Sequence, residues 1–291
     1  MLLMILAFIA SLIPSVLVFI LLRRRHGNGK LQTESKTADG NAENKPEEAS
    51  LSYNNEAQHM PDAEPTPPLP VELPSDTLTY RKYCSSALLR GMLCALPVLA
   101  LSGILFILNG VLRATLLGNA PVLLYKAIYT FIVLALAEEI VKFFAFKLFL
   151  KKKPFAYKPA DMVAIMVIIG TGFGMLEAGI YAVDSSPILM FVRGITIGHV
   201  GYGFLTGLFY AKRMQTDKKL YGFLAVLIPW LIHGLYDFSL SPELIAVNDN
   251  FSFLGVSLAL FDIVLLILMI RYFVKAKKAE KAAEKLPETK G

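Results

Sequence analysis

Apolar runs alternate with short polar stretches along this chain, and the runs recur at the length of a membrane crossing. Seven can be marked, at residues 1–22 and about 87–112, 122–150, 160–183, 188–210, 220–240 and 253–273. About 20 residues at 1.5 Å each cross a hydrocarbon core of ~30 Å. In lipid the backbone must satisfy its own hydrogen bonds, so such runs predict helices. The expected fold class is therefore an all-α, polytopic membrane helix bundle with seven transmembrane helices.

Polar positions between the runs orient the bundle. Arg81, Lys82, Lys151, Lys152, Lys153, Lys158, Lys212, Arg213, Lys218, Lys219, Lys275, Lys277 and Lys278 all fall on one side of a seven-span threading. The opposite loops carry Arg113 with Asp184, Glu243 and Asp249. Basic loops stay cytoplasmic, which puts the N-terminus out and the C-terminus in. Arg23, Arg24 and Arg25 follow the first run directly, whereas a cleavable signal peptide carries its positive charge before the apolar stretch. The first run reads as an uncleaved anchor. The location implied is integral to a membrane and multi-pass.

Between the anchor and the second run the pattern lapses. Residues 26–80 hold few apolar side chains, many acidic ones, and Pro61, Pro65, Pro67, Pro68, Pro70 and Pro74. Such a segment buries too little surface to offset its ordering entropy and reads as a tether. The expected organisation is an anchor at 1–22, a disordered cytoplasmic linker at 23–84, a six-helix membrane domain at 85–275 and a cytoplasmic tail at 276–291.

Composition adds little to this picture. The 291 residues are 55% hydrophobic with a net charge of +6, and the mean hydropathy is +0.54. The positive charge is explained by the orientation of the loops, and no nucleic-acid partner is expected. Cys84 and Cys94 form neither a disulfide framework nor a metal pattern.

Candidate chemistry lies where the apolar pattern is broken from within. A charged side chain at the centre of a membrane helix costs about 2.5–3.5 kcal/mol on insertion scales, so it needs a partner or a purpose. The third run contains Glu138, Glu139 and Lys142, the fourth Phe173 and Glu177, the fifth Arg193 and His199, and the sixth His233 and Asp237. Counted from the basic end of each run, Glu138 and His199 are ~20 Å deep, His233 ~21 Å and Glu177 ~25 Å. Four predicted helices thus bring polar groups to one layer. Lys142 can pair along its helix with Glu138 or Glu139, and His233 shares a face with Asp237. Arg193 reads as a structural ion-pair partner for Glu177 or Asp237. The Gly170, Gly174 and Ala178 series, with Gly194, Gly198, Gly203 and Gly207, reads as close helix packing.

In order and spacing, Glu138-Glu139-x-x-Lys142, Phe173-x-x-x-Glu177, His199 and His233-x-x-x-Asp237 resemble the PrsW family of membrane-embedded proteases. Those proteins are related to the type II CAAX prenyl endopeptidases and to a scaffold subunit of gamma-secretase. The resemblance covers residues 85–275 and implies hydrolysis of a peptide bond in a membrane-protein substrate, an anti-sigma factor in a stress response being one such substrate. It also implies a bacterial cytoplasmic membrane. Carried over by position, Glu138 or Glu139 activates water, His233 and Asp237 stand where the oxyanion is stabilised, and His199 is the additional histidine of the family. Glu177 stands where the prenyl endopeptidases have a histidine, which favours the PrsW branch. No cofactor is expected, although a zinc held by Glu177, His199 and His233 is the alternative that the family's description as metalloproteases leaves open. Two further readings compete with the protease. Buried acidic and histidine chains also serve ion- or proton-coupled transporters, and the same layer could hold together a non-catalytic scaffold.

Overall fold

In the computed structural model the described residues are 2–24, 77–116, 118, 121–152, 158–184 and 198–283, and all regular structure among them is helical. The elements are α1 (Leu2–Arg23), α2 (Thr77–Leu93), α3 (Ala95–Thr115), α4 (Val122–Ala127), a π-helical segment (Ile128–Leu136), α5 (Ala137–Lys152), α6 (Pro159–Asp184), α7 (Gly198–Thr216), α8 (Lys219–Ser239), α9 (Pro242–Val247) and α10 (Asn250–Ala283). Within the described residues the predicted apolar runs coincide with helix, and residues 188–197 of the fifth run lie outside them. Among the described residues four stretches are long and apolar enough to cross a membrane: Tyr80–Thr115, Pro159–Ile180, Lys219–Ser239 and Asn250–Ala282.

Boundaries differ from the expected ones in three places. Helix α2 begins at Thr77, so the stretch assigned to the end of the linker is already helical. Its Tyr80, Cys84 and Ala87 are buried and recur at helical spacing, packing with Val18 and Leu22 of α1 in the main core. That periodicity lay hidden among the charges of Arg81 and Lys82. The third run is continuous helix from Val122 to Lys152, yet its middle nine residues widen into a π-helix. Helix α10 continues to Ala283, beyond the expected start of the tail.

Helix α6 is the axis of the bundle. Residues 160–173 are buried on every side, as a helix apolar all round must be when it lies within protein. It packs against α7, α2 and α1. The approaches are too close for side chains. A Cβ on Gly91 of α2 would stand 2.1 Å from the Ile169 carbonyl oxygen, and one on Gly170 would stand 2.2 Å from that of His199. The small-residue pattern is therefore a packing device here. Cys84 and Cys94 are both buried, and neither is in a disulfide.

Candidate active site

The polar groups of the layer come from four helices, α5, α6, α7 and α8. The π-helical segment delivers the chain into α5, whose first turn carries Glu138 and Glu139. A π-helix is uncommon and is often found at functional sites, and here side chains of two other helices bond to its carbonyls. Trp230 Nε1 of α8 donates to the Phe131 carbonyl at 2.7 Å, and Ser102 Oγ of α3 donates to that of Val133 at 3.0 Å. The Phe131 ring covers Gly234, where a Cβ would meet its Cδ1 at 2.5 Å. Gly234 follows His233, so one contact seats the glutamate helix and the histidine helix against each other.

Glu139 is fully engaged. Its Oε1 accepts from Lys142 Nζ at 2.6 Å and from His233 Nδ1 at 2.9 Å, and the residue is 2% exposed. With Nδ1 of His233 donating to Glu139, its Nε2 turns toward Asp237 Oδ2 at 3.3 Å and Glu138 Oε2 at 3.8 Å. Lys142 Nζ also meets His199 Nδ1 at 2.9 Å. An ammonium can only donate, so that nitrogen accepts and His199 carries its proton on Nε2, which is hydrogen-bonded to Glu177 Oε2.

Glu138 is the contrast. Its Oε2 is buried and has no hydrogen-bond partner among the described residues. Around it stand His233 Nε2 at 3.8 Å, Lys142 Nζ at 3.9 Å and His199 Nε2 at 4.0 Å. These separations exceed a hydrogen bond. They match the span that one bridging water fills. Aromatic rings wall the cluster: Phe173 meets His199 edge-on at 4.9 Å and lies 4.6 Å beneath Lys142 Nζ, while Tyr202 stacks on His233 at 4.9 Å.

Glu138, Glu139, Lys142, Phe173, Glu177, His199, His233 and Asp237 thus meet in one cluster. Arg193 lies outside the described residues. Two buried carboxylates were passed over by the depth argument, Asp161 at the start of α6 and Asp262. Asp262 of α10 is 2% exposed, and neither of its oxygens has a hydrogen-bond partner among the described residues. It stands over Gly201, where a Cβ would come within 3.8 Å of Oδ1, and within electrostatic reach of Tyr202 and His233. The signal was available, since Asp262 interrupts an apolar run as Glu138 does. Tyr202 and Trp230 gave none, because an aromatic residue in an apolar run reads as packing.

The cluster also has the makings of a metal site. One oxygen of Glu138 and one nitrogen each of His199 and His233 lie within 4.8 Å of one another. Two imidazoles and a carboxylate are a donor set that zinc accepts at about 2.0–2.2 Å per ligand. The set expected from the resemblance has Glu177 in place of Glu138, and Glu177 is hydrogen-bonded to His199. Glu139 behind His233 is the outer-shell carboxylate such a histidine commonly has. For His199 to ligate, one proton has to leave the Lys142–His199 pair, as metal binding generally requires.

A family model described as PrsW family intramembrane metalloprotease matches residues 81–270. Protease PrsW of Shouchella clausii (strain KSM-K16) is 28% identical over 121 residues, which cover 40% of this chain and 56% of that protein. Protease PrsW of Clostridioides difficile (strain 630) is 29% identical over 174 residues, covering 56% of this chain and 71% of that protein. No solved structure matches the chain.

Proposed function

The chain belongs to the PrsW family of intramembrane metalloproteases, and from that premise we propose that it is an endopeptidase hydrolysing a peptide bond of a membrane-bound protein inside the bilayer. One observation carries the assignment. Glu138 presents a buried oxygen, without a hydrogen bond among the described residues, to two histidines and a lysine from its own and two other helices. A carboxylate has no inexpensive packing role at such a place.

In this reading Glu138 takes a proton from water, and the resulting hydroxide attacks the scissile carbonyl carbon. His233 Nε2, once protonated, is placed to donate to the developing oxyanion, while His199 is held beside it by Lys142 and Glu177. As the C–N bond breaks, Glu138 returns the proton to the leaving amine. Glu139 holds Lys142 and His233 in register, and Asp237 orients His233 from below. Burial among apolar helices strengthens each of these interactions relative to water.

The residues present fit the metal that the family description implies, with Glu138, His199 and His233 to hold it. When bound, such an ion supplies Lewis-acid polarisation of the carbonyl. Metal content of the purified chain and its activity after chelator treatment separate the two forms: retained activity in metal-free protein establishes the glutamate-only route.

The substrate is taken to be a single-span membrane protein, with an anti-sigma-type regulator as the class the family resemblance suggests. The bundle is taken to cross the membrane seven times, N-terminus out, in a bacterial cytoplasmic membrane. Comparative proteomics of membranes from cells carrying the wild-type chain or Glu138→Gln tests the whole reading. A membrane protein should accumulate uncut in the variant. Full cleavage by both Glu138→Gln and Glu139→Gln overturns it.

A further inference from the structure

Away from the glutamate–histidine cluster, the ends of α1 and α2 enclose a cavity of about 280 Å³ lined by Ile20, Arg23, Arg24 and Arg81. Helix α2 sets the depth. Gly91 packs on Ile169 and Phe173, and Arg81 lies ten residues earlier, about 15 Å nearer the helix end. The two helices are joined at this level by the Tyr80 hydroxyl, which donates to the Leu22 carbonyl at 3.4 Å. Val18 and Leu22 are buried beneath it.

The lining combines two chemistries. Three arginines, all exposed, contribute three positive charges, and no salt bridge to any of them is found among the described residues. The Arg23 guanidinium stands 5.9 Å from the centre of the Phe19 ring. Directly inward, Ile20 forms an apolar wall, and the neighbouring Leu17 and Leu21 of α1 are 54% and 62% exposed. Exposed leucines one turn from a ring of guanidinium groups mark the level where acyl chains give way to headgroups. Three like charges around one cavity repel unless an anion joins them, and the planar guanidinium fork matches phosphate oxygens two at a time.

We propose that this cavity is a binding site for the phosphate of an anionic phospholipid, which clamps α1 to α2. The apolar wall favours a lipid over a soluble phosphate, because it receives the glycerol carbons beneath the headgroup. Arg23 and Arg24 lie outside the stretch matched by the family model and Arg81 is its first residue, so the lipid bridges the first helix to the family's own bundle. The proposal stands independently of the proteolytic reading.

Native mass spectrometry of the full-length chain in detergent, titrated with phosphatidylglycerol, phosphatidylcholine or inorganic phosphate, tests it. The wild-type chain should retain one phosphatidylglycerol and no phosphatidylcholine. Each arginine near a lipid surface is worth about fivefold in binding, so R81Q should weaken retention about fivefold and R23Q/R24Q/R81Q about a hundredfold. The variant K275Q/K277Q/K278Q, with the same loss of charge elsewhere, should bind as wild type does. R81Q also guards against misfolding of the triple variant, since it removes one guanidinium and leaves α1 intact. Equal retention by wild type and the triple variant overturns the site. Displacement of the lipid by millimolar inorganic phosphate overturns the lipid assignment in favour of a soluble anion. The acidic segment before α2 is the rival occupant. If E34Q/E43Q/E47Q/E48Q binds phosphatidylglycerol and the wild-type chain does not, the cavity belongs to that segment and the proposal fails.

Discussion

Glu138 and Glu139 are neighbours in sequence with opposite situations. Glu139 accepts from Lys142 and His233, whereas Glu138 keeps a buried oxygen without a hydrogen bond. Glu138→Gln should therefore remove cleavage of a single-span substrate by three orders of magnitude or more while leaving thermal unfolding in detergent within about 1 kcal/mol of wild type. Glu139→Gln should do the reverse in part. It strips the counter-charge from buried Lys142 and should cost about 3–5 kcal/mol of stability, as loss of one partner from a buried ion pair does. Comparing activity at equal folded fraction distinguishes the two. Asp262 offers another contrast at this scale. A buried carboxylate without a partner burdens the fold, so Asp262→Asn should raise the unfolding temperature. If the residue serves the site through Tyr202 and His233, the same substitution lowers kcat with KM unchanged.

At the scale of elements, the π-helical segment is the part with the clearest consequence. Two of its carbonyls accept from Trp230 and Ser102. Trp230→Phe keeps an apolar ring but removes the donor, so the Phe131 carbonyl loses that hydrogen bond. That should cost about 1–3 kcal/mol, read from unfolding in detergent. Farther from the chemistry, Lys126 Nζ pairs with Glu243 Oε1 at 2.6 Å and ties α4 to α9. This hydrogen bond holds the Glu243 carboxyl below its ordinary range. A depressed carboxyl stabilises the fold above its unfolded-state value and loses that contribution as pH falls through the folded one. Glu243 is half exposed, so Glu243→Gln should cost no more than about 1 kcal/mol at pH 7 and still less in acid. Unfolding at the two pH values measures it.

For the whole molecule, orientation is the testable quantity. Both natural cysteines are buried, so a single introduced cysteine reports without interference. Lys218 and Glu243 are exposed at opposite ends of the sixth apolar run. With the N-terminus out, Glu243→Cys should react with an impermeant maleimide in intact cells, and Lys218→Cys only after permeabilisation. The reverse result inverts the topology. Labelling of both from outside removes a crossing.

What could be read before folding was whatever depends on position along one helix. Apolar runs of bilayer length predicted every helix that carries the site, because a membrane permits little else for such runs. Charges inside those runs, counted from basic ends, located the polar layer, because the rise per residue of a helix is constant. Glu138, Glu139, Lys142, Glu177, His199, His233 and Asp237 were all found this way. The start of α2 was not, since its buried face is discontinuous and lies among arginines and lysines. Nor was the π-helix, whose widened turns have no mark in a run as uniformly apolar as Ile128–Leu136.

Depth along an axis is a one-dimensional quantity, and it was all that the chain alone determined. Rotation about each axis and the pairing between helices were decided by packing. Those settled that Glu139 is engaged while Glu138 keeps a free oxygen, and that Glu177 is hydrogen-bonded to His199. They also settled that Asp262 and Tyr202 stand beside His233. Gly170 and Gly91 let neighbouring helices approach closely, and only that contact turns a shared layer into a shared site.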